Sequence, residues 1–182
     1  MTQTIPTLNT ERLILNSFIE TDAANVAKLA GDKRVVDMTA SLPYPYEVPM
    51  AVSWIKGHQE QLEKDMNYVF AIRLKSTSEL IGCINIGLND RHDRGYVGYW
   101  VGHDFWNHGF CSEALREIIK FGFEEKKVNK IWAEHKTFNI GSGRVMEKAG
   151  MKHEGIMRNH YKQNDDNYLD MSVKSILKSE YN

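Results

Sequence analysis

Tyr99-Trp100-Val101-Gly102-His103-Asp104-Phe105-Trp106-Asn107-His108-Gly109-Phe110-Cys111-Ser112-Glu113-Ala114 runs from an aromatic strand through a tight turn directly into a helix. Tyr96 to Val101 supplies the strand, and small residues at Gly109 and Cys111 mark the turn. Ala114, Leu115, Ile118, Ile119 and Phe123 then recur on one helical face. The first turn of such a helix presents backbone N–H groups without intrahelical acceptors, at the positive end of the macrodipole. That arrangement suits a pyrophosphate, and side-chain bulk in the turn would hold the anion away. No Gly-Lys-Ser/Thr follows and no Gly-x-Gly-x-x-Gly occurs, so it is neither a P-loop nor a dinucleotide fingerprint. Taken alone, the segment suits a purely structural strand–turn–helix junction equally well.

Downstream lies Asn139-Ile140-Gly141-Ser142-Gly143-Arg144-Val145-Met146-Glu147-Lys148-Ala149-Gly150. Asn139 can cap a helix over Ser142 to Ala149 that Gly150 stops. Ile131 to His135, between the two segments, is strand-like. Upstream, Arg12 to Phe18 is a strand, and Thr21 offers an N-cap for a helix over Ala23 to Ala30 with Gly31 as its stop. Leu42 to Tyr46 holds two prolines and is a loop. Ala51, Trp54, Ile55 and Leu62 place a helix after Pro49. Tyr68 to Leu74 and Leu80 to Leu88 form an antiparallel hairpin, and Lys152 to Ile176 forms two more strands around Asn164-Asp165-Asp166-Asn167. The expected fold class is mixed α/β, a mainly antiparallel sheet of about seven strands with helices on its faces.

The 182 residues fit one domain. A net charge of −1 gives no general attraction to nucleic acid or an anionic membrane. Cys83 and Cys111 make no disulfide framework, and no Cys-x-x-Cys or His-Glu-x-x-His suggests a metal. Met1 to Thr10 lacks the pattern of a signal peptide and no apolar run would span a bilayer, so a cytoplasmic location is expected.

Four short motifs, in order, carry a resemblance. Thr10-Glu11-Arg12-Leu13-Ile14-Leu15, Trp106-x-x-Gly109-Phe110-Cys111-x-Glu113-Ala114, Asn139-x-x-Ser142 with Glu147-Lys148-x-Gly150, and Glu154-Gly155 with Arg158 resemble GNAT acetyltransferases. The resemblance is to the branch that acetylates ribosomal-protein N-termini (RimJ/RimL), and it runs from about Leu8 to Leu177. It implies direct transfer of an acetyl group from acetyl-coenzyme A to a primary amine. It also implies that the pyrophosphate rests on the backbone of Asn107, His108, Gly109, Phe110, Cys111 and Ser112. The pantetheine arm would lie between the strand end at Val101, Gly102 and His103 and the strand Ile131 to His135. A backbone N–H near Val101 would polarise the thioester, Asn139 would contact the cofactor, and Ser142 would serve the departing sulfur.

The chain departs from that pattern at several places. Met146 stands where many relatives carry an acidic tyrosine, Tyr96 where many carry a glutamate base, and Asn107-His108 where Gly-Lys is usual. Cys111 replaces Ala or Gly, and direct transfer assigns it no nucleophilic role. An alkyl ammonium has a pKa near ~10, so a base must remove its proton. His135 is the first candidate, with Glu134 on the opposite face of a regular strand and Glu47 and Asp170 more remote. The acceptor is a protein N-terminus by branch resemblance, with a polyamine, aminoglycoside or amino acid as the alternative. Leu42 to Tyr46, Trp54 and Tyr161 are candidates for its walls. A non-catalytic acyl-coenzyme A-binding module is the rival from another class. A second copy of the chain, in a homodimer, is an optional partner.

Overall fold

The computed structural model describes residues 4–164 and 166–181. One sheet contains β1 (Leu8–Asn9), β2 (Leu13–Asn16), β3 (Asn67–Leu74), β4 (Leu80–Asn89), β5 (Arg94–Val101), β6 (Lys130–Lys136), β7 (Lys152–Asn164) and β8 (Asn167–Leu177). Their spatial order is β1-β2-β3-β4-β5-β6-β8-β7, and the β5–β6 pair alone is parallel. The helices are α1 (Ala23–Ala30), α2 (Lys33–Met38), α3 (Val48–Glu63), α4 (Phe110–Glu124) and α5 (Ile140–Lys148).

The central strands are buried on both faces, which is why β3 and β4 read as unbroken apolar runs. Phe70, Ile72, Ile84, Ile86 and Ile131 pack with Leu115, Ile118 and Ile119 of α4. Val69, Ala71 and Cys83 pack against Val26 and Ala27 of α1 and Ala51 and Ile55 of α3. Cys83 is therefore a small core residue, as its apolar neighbours predict.

One expectation, the Thr21 cap, needs correction. The expected mixed, mainly antiparallel sheet is present, and its eighth strand is two-residue β1, too short to leave a periodic signal. α2, six residues long, was equally invisible; it starts at Asp32, whose side chain accepts from the Arg34 backbone at 2.9 Å. Thr21 does not cap α1, since it lies inside a 3-10 turn spanning Glu20–Asp22. There Asp22 instead accepts from the Ile19 backbone at 2.9 Å and from Arg73 at 2.6 Å. Gly31 ends α1 with ordinary right-handed φ of −80°, and its size is set by crowding, since a methyl group there would lie 2.5 Å from the Ala27 carbonyl. Gly150 does stop α5 in the left-handed manner, at φ +89°. Of the turn between β7 and β8, Asp165 lies outside the described residues. No helix among the described residues is long and apolar enough to cross a membrane.

Candidate active site

β5 and β6 pair at only three positions, Arg94↔Lys130, Gly95↔Ile131 and Tyr96↔Trp132. Beyond them β5 stays with β4 as far as Val101, and β6 stays with β8 as far as Lys136. The strands therefore part, and a cavity of about 730 Å³ opens through the sheet. Gly102 donates its N–H to Ile81 on the β4 side at 2.9 Å. Backbone groups alternate along a strand, so the N–H of Val101 is turned towards the gap. The Val101 carbonyl, on that same edge, accepts from Trp106 Nε1 at 2.9 Å and ties the following loop to the strand.

That loop leads into α4 through two left-handed residues, Asn107 at φ +63° and Gly109 at φ +81°. No side chain caps α4, so its first N–H groups face outward with the macrodipole behind them. The loop is braced from a distance. Glu113, nine-tenths buried, accepts from Thr10 Oγ1 at 2.5 Å, from the Arg12 backbone at 2.7 Å and from Arg12 Nε at 2.7 Å. Arg12 Nη1 then donates to the His108 carbonyl at 3.0 Å, and its guanidinium lies 4.7 Å over the Phe110 ring. Thr10 and Arg12 are thus joined to the loop before α4 by one carboxylate. Arg12 brings to the loop a permanent positive charge that the Asn107-His108 pair lacks.

Burial disfavours the charged form of Glu113, but the bonds from Thr10 and Arg12 and the Arg12 charge outweigh it and lower its pKa. A depressed carboxylate stabilises the fold above its unfolded pKa, and that contribution is lost as pH falls through the folded value. Glu113→Ala should cost about 2–3 kcal/mol, because it removes charge-assisted bonds at a mostly buried site. At roughly 2–4 °C per kcal/mol the melting temperature falls by about 4–12 °C. A melting temperature within about 1 °C of wild type would refute the brace.

Asn139 and Ser142 sit together at the start of α5. Asn139 Oδ1 accepts from the Ser142 backbone at 3.1 Å, and its Nδ2 donates to the Met38 carbonyl at 2.9 Å. Ser142 Oγ lies 2.8 Å from the hydroxyl of Tyr99, which is also 3.2 Å from the Ser142 carbonyl. Met146 is a core residue. Tyr99, missed in the sequence, brings a phenol from β5 across the gap to this helix start. Burial, and then the nearby Cys111, raises the Tyr99 pKa far above the ordinary phenol value, so it stays protonated. Its only sequence signal was an aromatic residue sharing the face of Val97 and Val101.

Val101, Asn107, Gly109, Phe110, Cys111, Ser112, His135, Asn139 and Ser142 all line the cavity. Gly102, His103 and His108 do not. Gly102 faces Leu29, where a methyl group would come within 2.6 Å of Leu29 Cδ2. His103 forms a 3-10 turn against Trp106 and Asp104. Exposed His108 stacks on Phe110 and bonds the Trp106 carbonyl through Nδ1 at 2.8 Å.

The two faces of β6 differ. His135 shares the face of Ile131 and Ala133, towards α4 and α5. Its Nδ1 bonds the Lys136 carbonyl at 2.9 Å, while Nε2 is buried without a partner; a methyl group at Gly143 would lie 3.1 Å from it. Burial lowers its pKa and keeps the ring neutral. Glu134 lies on the opposite face, as strand alternation predicts. Its Oε2 is buried without a hydrogen bond, and His160 Nε2 lies 3.8 Å from it. Burial raises its pKa, with His160 opposing. Beside it Tyr96 packs on Trp132 with ring centres 4.6 Å apart, and burial, then the Glu134 charge, pushes its phenol up to about 12. Cys111 is likewise pushed up to about 12 by burial, which leaves negligible thiolate near neutral pH.

The family of the acetyltransferase (GNAT) domain matches residues 12–152. YoaA of Bacillus subtilis (strain 168), an uncharacterized N-acetyltransferase, is 31% identical over 175 residues, covering 95% of this chain and 97% of its own. An acetyltransferase (GNAT family) from Bacillus anthracis superposes with a TM-score of 0.84 at 24% identity, over 96% of this chain and 99% of its own. Mycobacterium smegmatis RimJ, solved in complex with CoA-disulfide, superposes with a TM-score of 0.85 at 19% identity, over 99% and 90% of the two chains. The parted strands, the uncapped helix start and the matched sequence lead to one conclusion: the chain belongs to the GNAT acetyltransferase domain family and is an N-acetyltransferase.

Proposed function

We propose that this protein transfers an acetyl group from acetyl-coenzyme A directly to a primary amine, with the donor entering on the α4 side of the sheet and the acceptor on the other. The gap between β5 and β6, open to both faces and ending at an uncapped helix, carries the proposal. The residues fit the donor: Gly109 leaves its backbone accessible at φ +81°, and Arg12 adds positive charge beside it. When bound, acetyl-coenzyme A supplies a thioester whose acyl carbon forms the C–N bond as the C–S bond breaks.

The chain's own residues divide the remaining tasks. The backbone of Asn107 to Ser112 with Arg12 holds the pyrophosphate, and the Val101 N–H donates to the acyl oxygen. Tyr99 can donate to Ser142 Oγ, which frees the serine proton to point at the departing sulfur. The amine's proton goes to Glu134 and from there to solvent. His135 is the less suitable base, since its free nitrogen is covered by Gly143 on the donor side. Glu134 faces the acceptor side with a raised pKa, which makes it a better proton acceptor.

Two acceptor classes fit within this reading. The RimJ/RimL-like motifs favour a protein N-terminus, and a small amine is the second class. Calorimetry with acetyl-coenzyme A, followed by thiol release with a panel of amines, tests the proposal. Binding without turnover of any amine would instead support a non-catalytic acyl-coenzyme A-binding module. In the same assay Cys111→Ala should keep turnover within a few-fold, because direct transfer needs no thiolate. A competent acetyl-cysteine at that position would overturn direct transfer.

A further inference from the structure

Glu134 and Lys136 lie two positions apart on β6, both on the face turned away from α4, and both line the cavity. At about 3.3 Å per residue their Cα atoms are roughly 6.6 Å apart. Burial disfavours the charged form of each, and among the described residues neither forms a hydrogen bond to an oppositely charged side chain. Lys136 is only 3% exposed. Its Nζ gives one hydrogen bond, 2.9 Å long, to the Asp37 carbonyl at the end of α2, and lies over the rings of Tyr161 and Phe138. The Asp37 carboxylate is engaged elsewhere, with Lys33 at 2.7 Å. Among the described residues no carboxylate lies within ion-pair distance of Lys136. A carbonyl satisfies one of three ammonium donors and leaves the charge in place. Glu134 is the mirror case, with Oε2 lacking any hydrogen bond and His160 beyond hydrogen-bonding reach at 3.8 Å.

Two buried opposite charges this close would ordinarily be expected to pair, since an isolated buried ion costs several kcal/mol. Instead Lys136 Nζ turns to the Asp37 carbonyl, and both residues line one cavity. The geometry points to an acceptor that is itself a compact ampholyte: a free amino acid, or a small amine with a carboxylate a few bonds away, bound with its ammonium on Glu134 and its acid group on Lys136. This rests on the acetyl-transfer reading above and narrows its acceptor. A peptide N-terminus offers Glu134 its ammonium but presents a neutral amide where the acid group would sit. In the reaction Glu134 then holds the ammonium as an ion pair and takes the proton the nitrogen loses, while Lys136 acts only in binding.

Wild-type protein is first titrated with acetyl-coenzyme A by calorimetry. Thiol release is then measured with the standard amino acids, with decarboxylated partners such as phenylalanine against phenylethylamine and leucine against isopentylamine, and with a short peptide. At least one amino acid should exceed its matched amine about 30-fold or more in kcat/KM. Lys136→Met should lower the amino acid's kcat/KM about 10- to 100-fold, the effect of one desolvated charge-assisted contact, and leave the matched amine within a few-fold. Matched amines or the peptide turning over as well as amino acids overturns the assignment on wild-type protein alone, whatever the variant's folding. Donor binding with no amino acid acetylated overturns it too. Absence of donor binding is the separate failure, which takes the acetyl-transfer reading down with it.

Discussion

Gly109→Val is expected to weaken acetyl-coenzyme A binding about 100-fold or more while the chain remains folded. Gly109 holds φ +81° immediately before α4, a region that a β-branched residue enters at a cost of about 1–3 kcal/mol. The space around it is open, since an added Cβ would meet nothing nearer than Arg12 Nη2 at 3.5 Å. The core is therefore untouched, and the damage falls on the backbone and on what approaches it. Either the turn relaxes and the first N–H groups of α4 lose their common direction, or it holds and the isopropyl group stands in the anion's path. Both routes remove charge-assisted hydrogen bonds of about 1.5–3 kcal/mol each, and two of them account for the expected loss. Gly109→Ala, with the same backbone strain and less bulk, should fall between. Calorimetry on variants checked by thermal melting makes the measurement. Unchanged affinity in a folded Gly109→Val protein would remove this loop from the donor site.

Ser142→Ala and Tyr99→Phe should each lower the single-turnover rate about 10- to 100-fold, with donor affinity within a few-fold. Charge grows on sulfur only as the C–S bond breaks, so a hydroxyl that tightens then favours the transition state over the bound ground state. The 2.8 Å contact makes the two hydroxyls one chain, in which the phenol can donate to the serine. Groups acting as a unit are non-additive, so the double variant should be little worse than the slower single one. Rates equal to wild type would reduce Ser142 to a residue of the helix start and leave sulfur protonation to water.

Periodicity and punctuation disclosed most of the fold. β3, β4 and β6, and helices α1, α3 and α4, stood out because each is long enough to show its period. β1 and α2 were not legible at two and six residues, since neither spans enough positions to repeat. The turn before α4 was legible for a local reason, its small residues before a helix. What escaped is non-local. Arg12 and Glu113 are 101 residues apart in the chain, so the sequence shows two motifs but not that one clamps the other. Tyr99 gains its meaning from α5, which arrives more than forty residues later. Alternation did place Glu134 opposite His135, but strand periodicity does not tell which face receives the acceptor. Lys136 lies one residue past the strand read over Ile131 to His135, and only the fold brings the Asp37 carbonyl and two aromatic rings onto it.

The short seam between β5 and β6 has a mechanical side. Three paired positions join one block of five strands to another of three, and past Tyr96 and Trp132 the two edges face each other with their ladder unfinished. An extended ligand arm laid in that opening stands in for the missing length of ladder and rivets the two blocks. Donor occupancy should then slow amide exchange at the facing edges, Val97 to Val101 and Ala133 to Lys136, more than in β3, which is already paired on both sides. The molecule would be at its stiffest while loaded and would loosen along the same seam once the donor is spent, so the opening that admits the donor also acts as the joint that lets it go.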